Sequence, residues 1–273
     1  MIVVTDDIGD IKKELRSADT DTLVAFDCDD VLTTLEDQIW KRENYQFFVK
    51  WCANAFSDAS METLHCVSDF ILTVGRNCLV NEEMPRIVDD LHAKNIQSMV
   101  LTALSQRPVG SITDPLRWRV ATLNGFGYNF GKFWPALADK RFDEFACAYQ
   151  PEYSSGVVCS GETPKGQSLR AFLKHAAISP RKVIFIDDKE DTVEDVKATC
   201  ESMEIAFVGI QYLEASKVVS AVPFSEEMME YQLNTLKEKN IWLPDGEAHG
   251  RLKAAFAEKR KAADSADGMI GVS

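Results

Sequence analysis

An α/β fold with a mostly parallel sheet is what this 273-residue chain predicts. Three observations carry that expectation. Short apolar runs alternate with stretches of helical periodicity. Two of those runs, Thr22–Phe26 and Val183–Ile186, are almost continuously apolar, as strands buried on both faces are. Both end in acids, Asp27-Cys28-Asp29-Asp30 and Asp187-Asp188. Ligands of open parallel sheets bind beyond the carboxyl ends of the strands, so the topology itself would bring these acids together.

The elements follow in order. Ile8–Leu15 reads as a short helix, and Thr22–Phe26 as the first buried strand. From Leu35 to about Gly75 the pattern is helical: Phe47, Phe48, Trp51, Cys52, Ala55 and Phe56, then Leu64, Val67, Ile71 and Val74, recur at helix spacing. Asn81 opens another helix, with acids in its first turn and Ile87, Val88 and Leu91 on one face. Gln97–Leu101 is a second strand. Residues 103–155 are less regular and rich in Gly and Pro, with a helix at Arg117–Leu123. Gly125-Phe-Gly-Tyr128 is a loop signal and not a nucleotide fingerprint, because no strand precedes it and no helix follows. Gly156–Ser160 is a short strand. Lys165 begins a helix with Leu169, Phe172, Leu173 and Ala176 on one stripe. Val183–Ile186 is the third strong strand, Val193, Val196 and Cys200 mark the next helix, and Ile205–Ile210 is a further strand. Residues 225–240 and 248–263 are helical, and the last residues, about ten, are expected to be loose.

Composition narrows the function. Apolar residues at 45% and charged residues at 27% exclude a wholly disordered chain. No apolar run approaches the ~18 residues of a membrane span. Met1–Asp10 carries acids and no apolar core, so no secretory signal is read and a cytoplasmic location is expected. A net charge of −13 repels phosphate backbones and argues against nonspecific nucleic-acid binding. The cysteines, at 28, 52, 66, 78, 147, 159 and 200, are odd in number and lack C-x-x-C spacing. That pattern fits a reducing compartment and neither a zinc site nor a disulfide framework. His65, His92, His175 and His249 stand too far apart to suggest a histidine metal site.

Asp27 and Asp29 are two residues apart on an extended segment, so their side chains lean to one side. Carboxylates this close repel each other unless a cation lies near. Such a pair suits magnesium-assisted phosphoryl transfer: one Asp attacks phosphorus, and the other exchanges a proton with leaving group and water. Mg²⁺ takes one or two carboxylates and several waters, which this pair and the second acid cluster can supply. A solvated turn after a strand has the same D-x-D spacing. Here, however, the acids follow an apolar strand directly and precede the apolar Val31-Leu32.

Val24-Ala-Phe-Asp27-Cys-Asp29-Asp-Val31-Leu32 resembles the first motif of the haloacid dehalogenase-like superfamily, an apolar strand followed by D-x-D-x-[TV]. Leu101-Thr102 after Ser98-Met-Val resembles the second motif, Lys165-Gly166 the third, and Val183-Ile-Phe-Ile-Asp187-Asp188-Lys-Glu-Asp191 the fourth. They occur in the family's order, and the resemblance spans about Thr22 to Ile210. Gly156–Gly161 with Pro164-Lys165-Gly166, and Phe207–Tyr212, are most similar to a poorly characterised bacterial branch.

The resemblance implies a Rossmann-like parallel sheet with helices on both faces and an inserted, mainly helical cap. Residues 1–34 and 80–273 would form the core and 35–79 the cap, with Phe47, Phe48, Trp51 and Phe56 as the cap's own core. Asp27 would be the nucleophile and a Mg²⁺ ligand. Asp29 would be the general acid/base and bind the metal through its main-chain carbonyl. Thr102 would hydrogen-bond a phosphate oxygen, and Lys165 would neutralise charge on Asp27 and the phosphoryl group. Asp188 would be the second metal carboxylate, Asp187 would support the site or bind through water, and Asp191 would orient Lys165 or a metal-bound water. The carboxylates of Asp27, Asp29, Asp187 and Asp188 would converge, with Lys165 the obvious counter-charge. Arg107, soon after Thr102, either clamps a second anionic group bidentately or lies on a surface loop. Asp30 reads as a turn or capping residue and Cys28 as packing. The expected function is a Mg²⁺-dependent phosphatase that hydrolyses a small or macromolecular phosphomonoester through an aspartyl-phosphate. The alternative is a catalytically weak scaffold that binds a protein partner through its cap.

Overall fold

In a computed structural model, residues 1–56 and 60–267 of the chain are described. The elements are β1 (Ile2–Thr5), α1 (Ile8–Leu15), β2 (Thr22–Phe26), β3 (Thr33–Leu35), α2 (Tyr45–Ala55), α3 (Met61–Val74), β4 (Asn77–Leu79), α4 (Met84–Ala93), β5 (Gln97–Thr102) and α5 (Pro115–Gly125). They continue with β6 (Lys140–Arg141), β7 (Glu152–Ser154), β8 (Val157–Cys159), α6 (Lys165–Ala176), β9 (Lys182–Asp187), α7 (Glu190–Ser202), β10 (Ala206–Tyr212), α8 (Glu226–Lys239) and α9 (Asp245–Asp267).

The chain divides into two compact units. The first comprises Met1–Thr34 and Asn77–Val218. Its eight-stranded sheet has the order β1-β10-β9-β2-β5-β8-β7-β6. The pairings from β1 across to β8 are parallel, and β7 and β6 close the edge antiparallel. This is the α/β fold with a mostly parallel sheet that the alternating pattern predicts. Central strands are buried on both faces. Leu23, Ala25, Met99, Leu101, Val158, Val183 and Phe185 pack on one side with Leu169 and Phe172 of α6 and Val193 and Val196 of α7. Successive residues Val24, Phe26, Val100, Ile184 and Ile186 point the other way and are equally inaccessible. That is why β2 and β9 read as apolar runs and not as alternating ones.

Several short strands escaped the sequence reading. β1 is an edge strand of four residues, with Val4 61% exposed, so it lacks the signature of a buried strand. β6 has two residues and β7 three, too short for periodicity to show. β3 interrupts the start of the stretch read as helical, pairing with β4 across the insertion.

The second unit comprises Leu35–Arg76 and Val219–Ser273. This corrects the expected division, which assigned residues 219–273 to the α/β core and ended the insertion at 79. Asn77–Leu79 is instead the strand β4 and belongs with the first unit. Buried polar hooks explain why the C-terminal helices join the insertion. Asp37 accepts from Trp242 Nε1 at 2.8 Å and from the backbone N of Asp245 at 2.9 Å. The Asp245 carboxylate accepts in turn from Gln38 N at 2.9 Å and Gln232 Nε2 at 3.0 Å. Trp51 Nε1 donates to Asn234 Oδ1 at 3.3 Å. Phe48, Trp51 and Cys52 are buried, while Phe47 and Phe56 are half-buried. α9 runs to Asp267, so the helix extends into the tail expected to be loose, and residues 268–273 lie outside the described ones. Among the described residues no helix is long and apolar enough to cross a membrane.

Candidate active site

From β2 the chain steps outward to β5 and then β8, and returns on the other side of β2 as β9 and β10. The boundary between β2 and β9 is therefore the topological switch point, where a crevice opens beyond the strand ends. Phe26 pairs with Ile186 there, and the Asp27 N–H donates to Ile186 O at 2.8 Å. That register sets Asp27 beside Asp187.

Lys165 joins them. As the first residue of α6 it stands where the helix dipole disfavours a cation, and it is buried. Its Nζ lies 2.7 Å from Asp27 Oδ1 and 2.7 Å from Asp187 Oδ2. Burial pulls its pKa down, but the two carboxylates outweigh that and hold it above the usual lysine range. Asp27 Oδ1 also accepts from Cys28 N at 2.7 Å, and Asp187 Oδ1 from Lys189 N at 2.9 Å. Asp187 is completely buried, and that burial raises its pKa against the pull of Lys165.

Asp188 completes a triad of acids. One carboxylate oxygen from each of Asp27, Asp187 and Asp188 lies within 4.8 Å of the others. Burial, and next the charge of Asp27, push the Asp188 pKa up to about 8. Lys189, whose pKa is raised despite burial by Asp188 and then Asp27, flanks the same cluster. The donors are all hard oxygens, brought within 4.8 Å of one another. The residues present therefore fit a divalent cation that prefers oxygen ligands.

Thr102 ends β5, the neighbour of β2, and its buried Oγ1 has no hydrogen-bond partner among the described residues. Unpaired buried hydroxyls are uncommon in folded proteins, and one at this strand end is placed to receive an anion's oxygen.

Asp29 departs from expectation. Three carboxylates converge and not four, because Asp29 turns to Arg119. Arg119 Nη2 donates to Asp29 Oδ2 at 2.9 Å. Burial raises the Asp29 pKa, Arg119 opposes that and Asp27 adds to it. The turn that carries Asp29 is held by Cys28 O, which accepts from Leu32 N and Thr33 N at 2.9 and 3.0 Å. Asp30 takes a left-handed backbone with φ 64° and accepts from Thr34 Oγ1 at 2.6 Å, as a turn residue would. Cys28 is buried, and burial pushes its thiol up to about 12, so it packs and does not react.

Arg107 and Asp191 take the following places. Arg107 stacks on Tyr149, its Cζ 5.4 Å from the ring centroid. Asp191 is exposed and accepts from Thr192 N at 2.9 Å, while Asp27 and Asp187 do the holding of Lys165. Arg119 is the residue that sequence reasoning missed. A signal existed: Leu116, Arg119 and Leu123 share the buried stripe of α5, and an arginine on an apolar stripe needs an acid partner.

The profile of a family described as "Protein of unknown function (DUF2608)" matches residues 4–249. An uncharacterised protein of Rickettsia prowazekii (strain Madrid E) is 24% identical over 245 residues, covering 87% of this chain and 85% of that protein. A Chlamydia pneumoniae protein, provisionally named an outer membrane protein, is 37% identical over 60 residues, 22% of this chain and 23% of its own length. No solved structure gives a significant match.

Proposed function

The chain belongs to the DUF2608 family, and we propose that it is a Mg²⁺-dependent phosphohydrolase that cleaves phosphomonoesters through an aspartyl-phosphate on Asp27. The observation that carries this reading is Lys165 Nζ at 2.7 Å from both Asp27 and Asp187, beside Asp188. The likeness of the four motifs to the haloacid dehalogenase-like superfamily supports it. A nucleophilic carboxylate needs its charge tempered but not removed, and an ammonium shared with a second carboxylate does that.

Asp27 would attack phosphorus. Asp27, Asp188 and, through its support of both, Asp187 would hold Mg²⁺, with the Asp29 main-chain carbonyl as a further ligand. The ion would supply charge neutralisation at the transferring phosphoryl oxygens. Thr102 would bind one of those oxygens with its free hydroxyl. Asp29, whose pKa burial raises against the pull of Arg119, would give a proton to the departing alkoxide and regain one from the water that cleaves the acyl phosphate. Free cysteines throughout the chain are consistent with a reducing, cytoplasmic setting.

A panel of phosphomonoesters assayed with and without Mg²⁺, followed by acid quenching, tests the reading. The parent should release phosphate only with metal. Asp27→Asn, nearly unchanged in size, should never carry phosphate. Asp29→Asn should still be phosphorylated by an activated aryl phosphate and then trap it on the protein. Metal-independent turnover, or Asp27→Asn phosphorylated at the same site, would contradict the assignment.

A further inference from the structure

We propose that Arg119 is a positioning residue that holds Asp29 in the orientation its proton transfer needs, an inference that rests on the phosphohydrolase reading. Arg119 is fully buried, yet only Nη2 finds a partner; Nε and Nη1 have none among the described residues. A buried guanidinium with two unsatisfied edges is costly, and an apolar residue on the Leu116–Leu123 stripe would pack without that cost. Packing therefore does not account for this arginine, whereas its one contact does.

That contact divides the Asp29 carboxylate. Oδ2 is taken by Arg119 at 2.9 Å, and Oδ1 is buried and unpartnered. Oδ1 is thus the atom available to exchange a proton with a leaving oxygen. Asp29 lies on an irregular turn, and a carboxyl there would rotate freely without a fixed partner. Arg119 is itself fixed. Its Cζ lies 5.0 Å from the centroid of the Trp118 ring. α5 is started by Pro115 and capped by Asp114, which accepts from Arg117 N at 2.9 Å. A general acid acts only when its proton is within hydrogen-bond reach of the leaving atom, so loss of the anchor should appear in the chemistry and not in binding.

The test compares Arg119→Met, Arg119→Lys, Asp29→Asn and the double variant on p-nitrophenyl phosphate and phenyl phosphate with Mg²⁺. Phenoxide leaves poorly and needs the acid; p-nitrophenoxide needs it little. Arg119→Met should lower the single-turnover rate of phosphoenzyme formation from phenyl phosphate about tenfold more than that from p-nitrophenyl phosphate, with the half-saturating concentration unchanged. Arg119→Lys should restore part of the difference. Adding Arg119→Met to Asp29→Asn should cost at most about twofold, because the residue it positions is already disabled. Equal losses on both esters, or a full further loss in the double variant, would make Arg119 merely structural and overturn the inference while leaving the hydrolase reading intact. If Arg119→Met alone does not fold, Asp29→Asn against the double, where no buried carboxylate is stranded, decides; if that double is also unfolded, the inference falls. A parent protein inactive on both esters overturns the reading and this inference with it.

Discussion

Lys165 sits between two buried carboxylates, and each side depends on the other. Replacing it by Met would strand Asp27 and Asp187 in the interior, a type of change that costs about 3–5 kcal/mol. The remaining acid of the triad supplies a pH prediction. The Asp188 pKa is about 8 in the folded protein against 3.8 for the ordinary side chain, so between those values the native state holds a proton that the unfolded chain has lost. Its contribution is complete below the lower value and disappears as pH rises through the upper one. Asp29, Asp37 and Asp187 are displaced in the same direction, Asp37 to about 6. In EDTA, Tm should therefore fall as pH is raised from about 5 to about 8, and Asp188→Asn should flatten the upper part of that decline. Millimolar Mg²⁺ should reverse it, since a ligand at a hundredfold its Kd adds about 2.7 kcal/mol. Melts that ignore both EDTA and Asp188→Asn would argue that no cation site exists here.

At the scale of elements, the position of Lys165 depends on how closely α6 approaches α7. Gly166 makes that approach possible: its N–H donates to Asp195 Oδ2 at 2.7 Å. A Cβ there would collide with Thr199 Oγ1 and come within 2.9 Å of Asp195 O. Gly166→Ala should cost about 1–3 kcal/mol by overpacking, and should lower activity as well because the start of α6 must shift. Thr199→Ala removes only the hydroxyl of that collision, so combining the two should recover part of the lost Tm and rate. Full stability of Gly166→Ala in a thermal melt would show that the helices can separate without consequence. The second motif of the site is positioned differently: Thr102 ends a strand whose pairing with β2 and β8 leaves it no freedom.

At the scale of the molecule, the second unit is discontinuous, and deletions should respect that. Cys78 Sγ lies 3.6 Å from Thr34 O, so a short Gly-Ser linker can replace Leu35–Arg76. Removing that segment together with everything after Val218 should leave a cooperatively folding first unit that still hydrolyses p-nitrophenyl phosphate. Removing Leu35–Arg76 alone strands Trp242 and the Asp245 backbone without Asp37. α8 and α9 keep a small core of Met228, Leu243 and Ala248, but their amides should lose hydrogen-exchange protection. If the two-segment deletion is unfolded, the division into units is wrong.

What the sequence by itself determined is local. Continuous apolar runs identified β2 and β9, helical spacing identified α1, α6 and α7, acids at the ends of β2 and β9 pointed to Asp27, Asp187 and Asp188, and the motif resemblance added Lys165. These patterns are legible because each residue's burial is set by the period of its own element. Tertiary structure alone decided the rest. Arg119 meets Asp29 across a separation of 90 residues, and Asp245 meets Asp37 across 208. The spacing along α5 could mark Arg119 as buried but could not name its partner, and composition did not single it out among 30 lysines and arginines. Which oxygen of Asp29 stays free, and which helices the insertion recruits, follow from contacts that exist only once distant segments have packed. A buried polar group must find a partner wherever the fold supplies one.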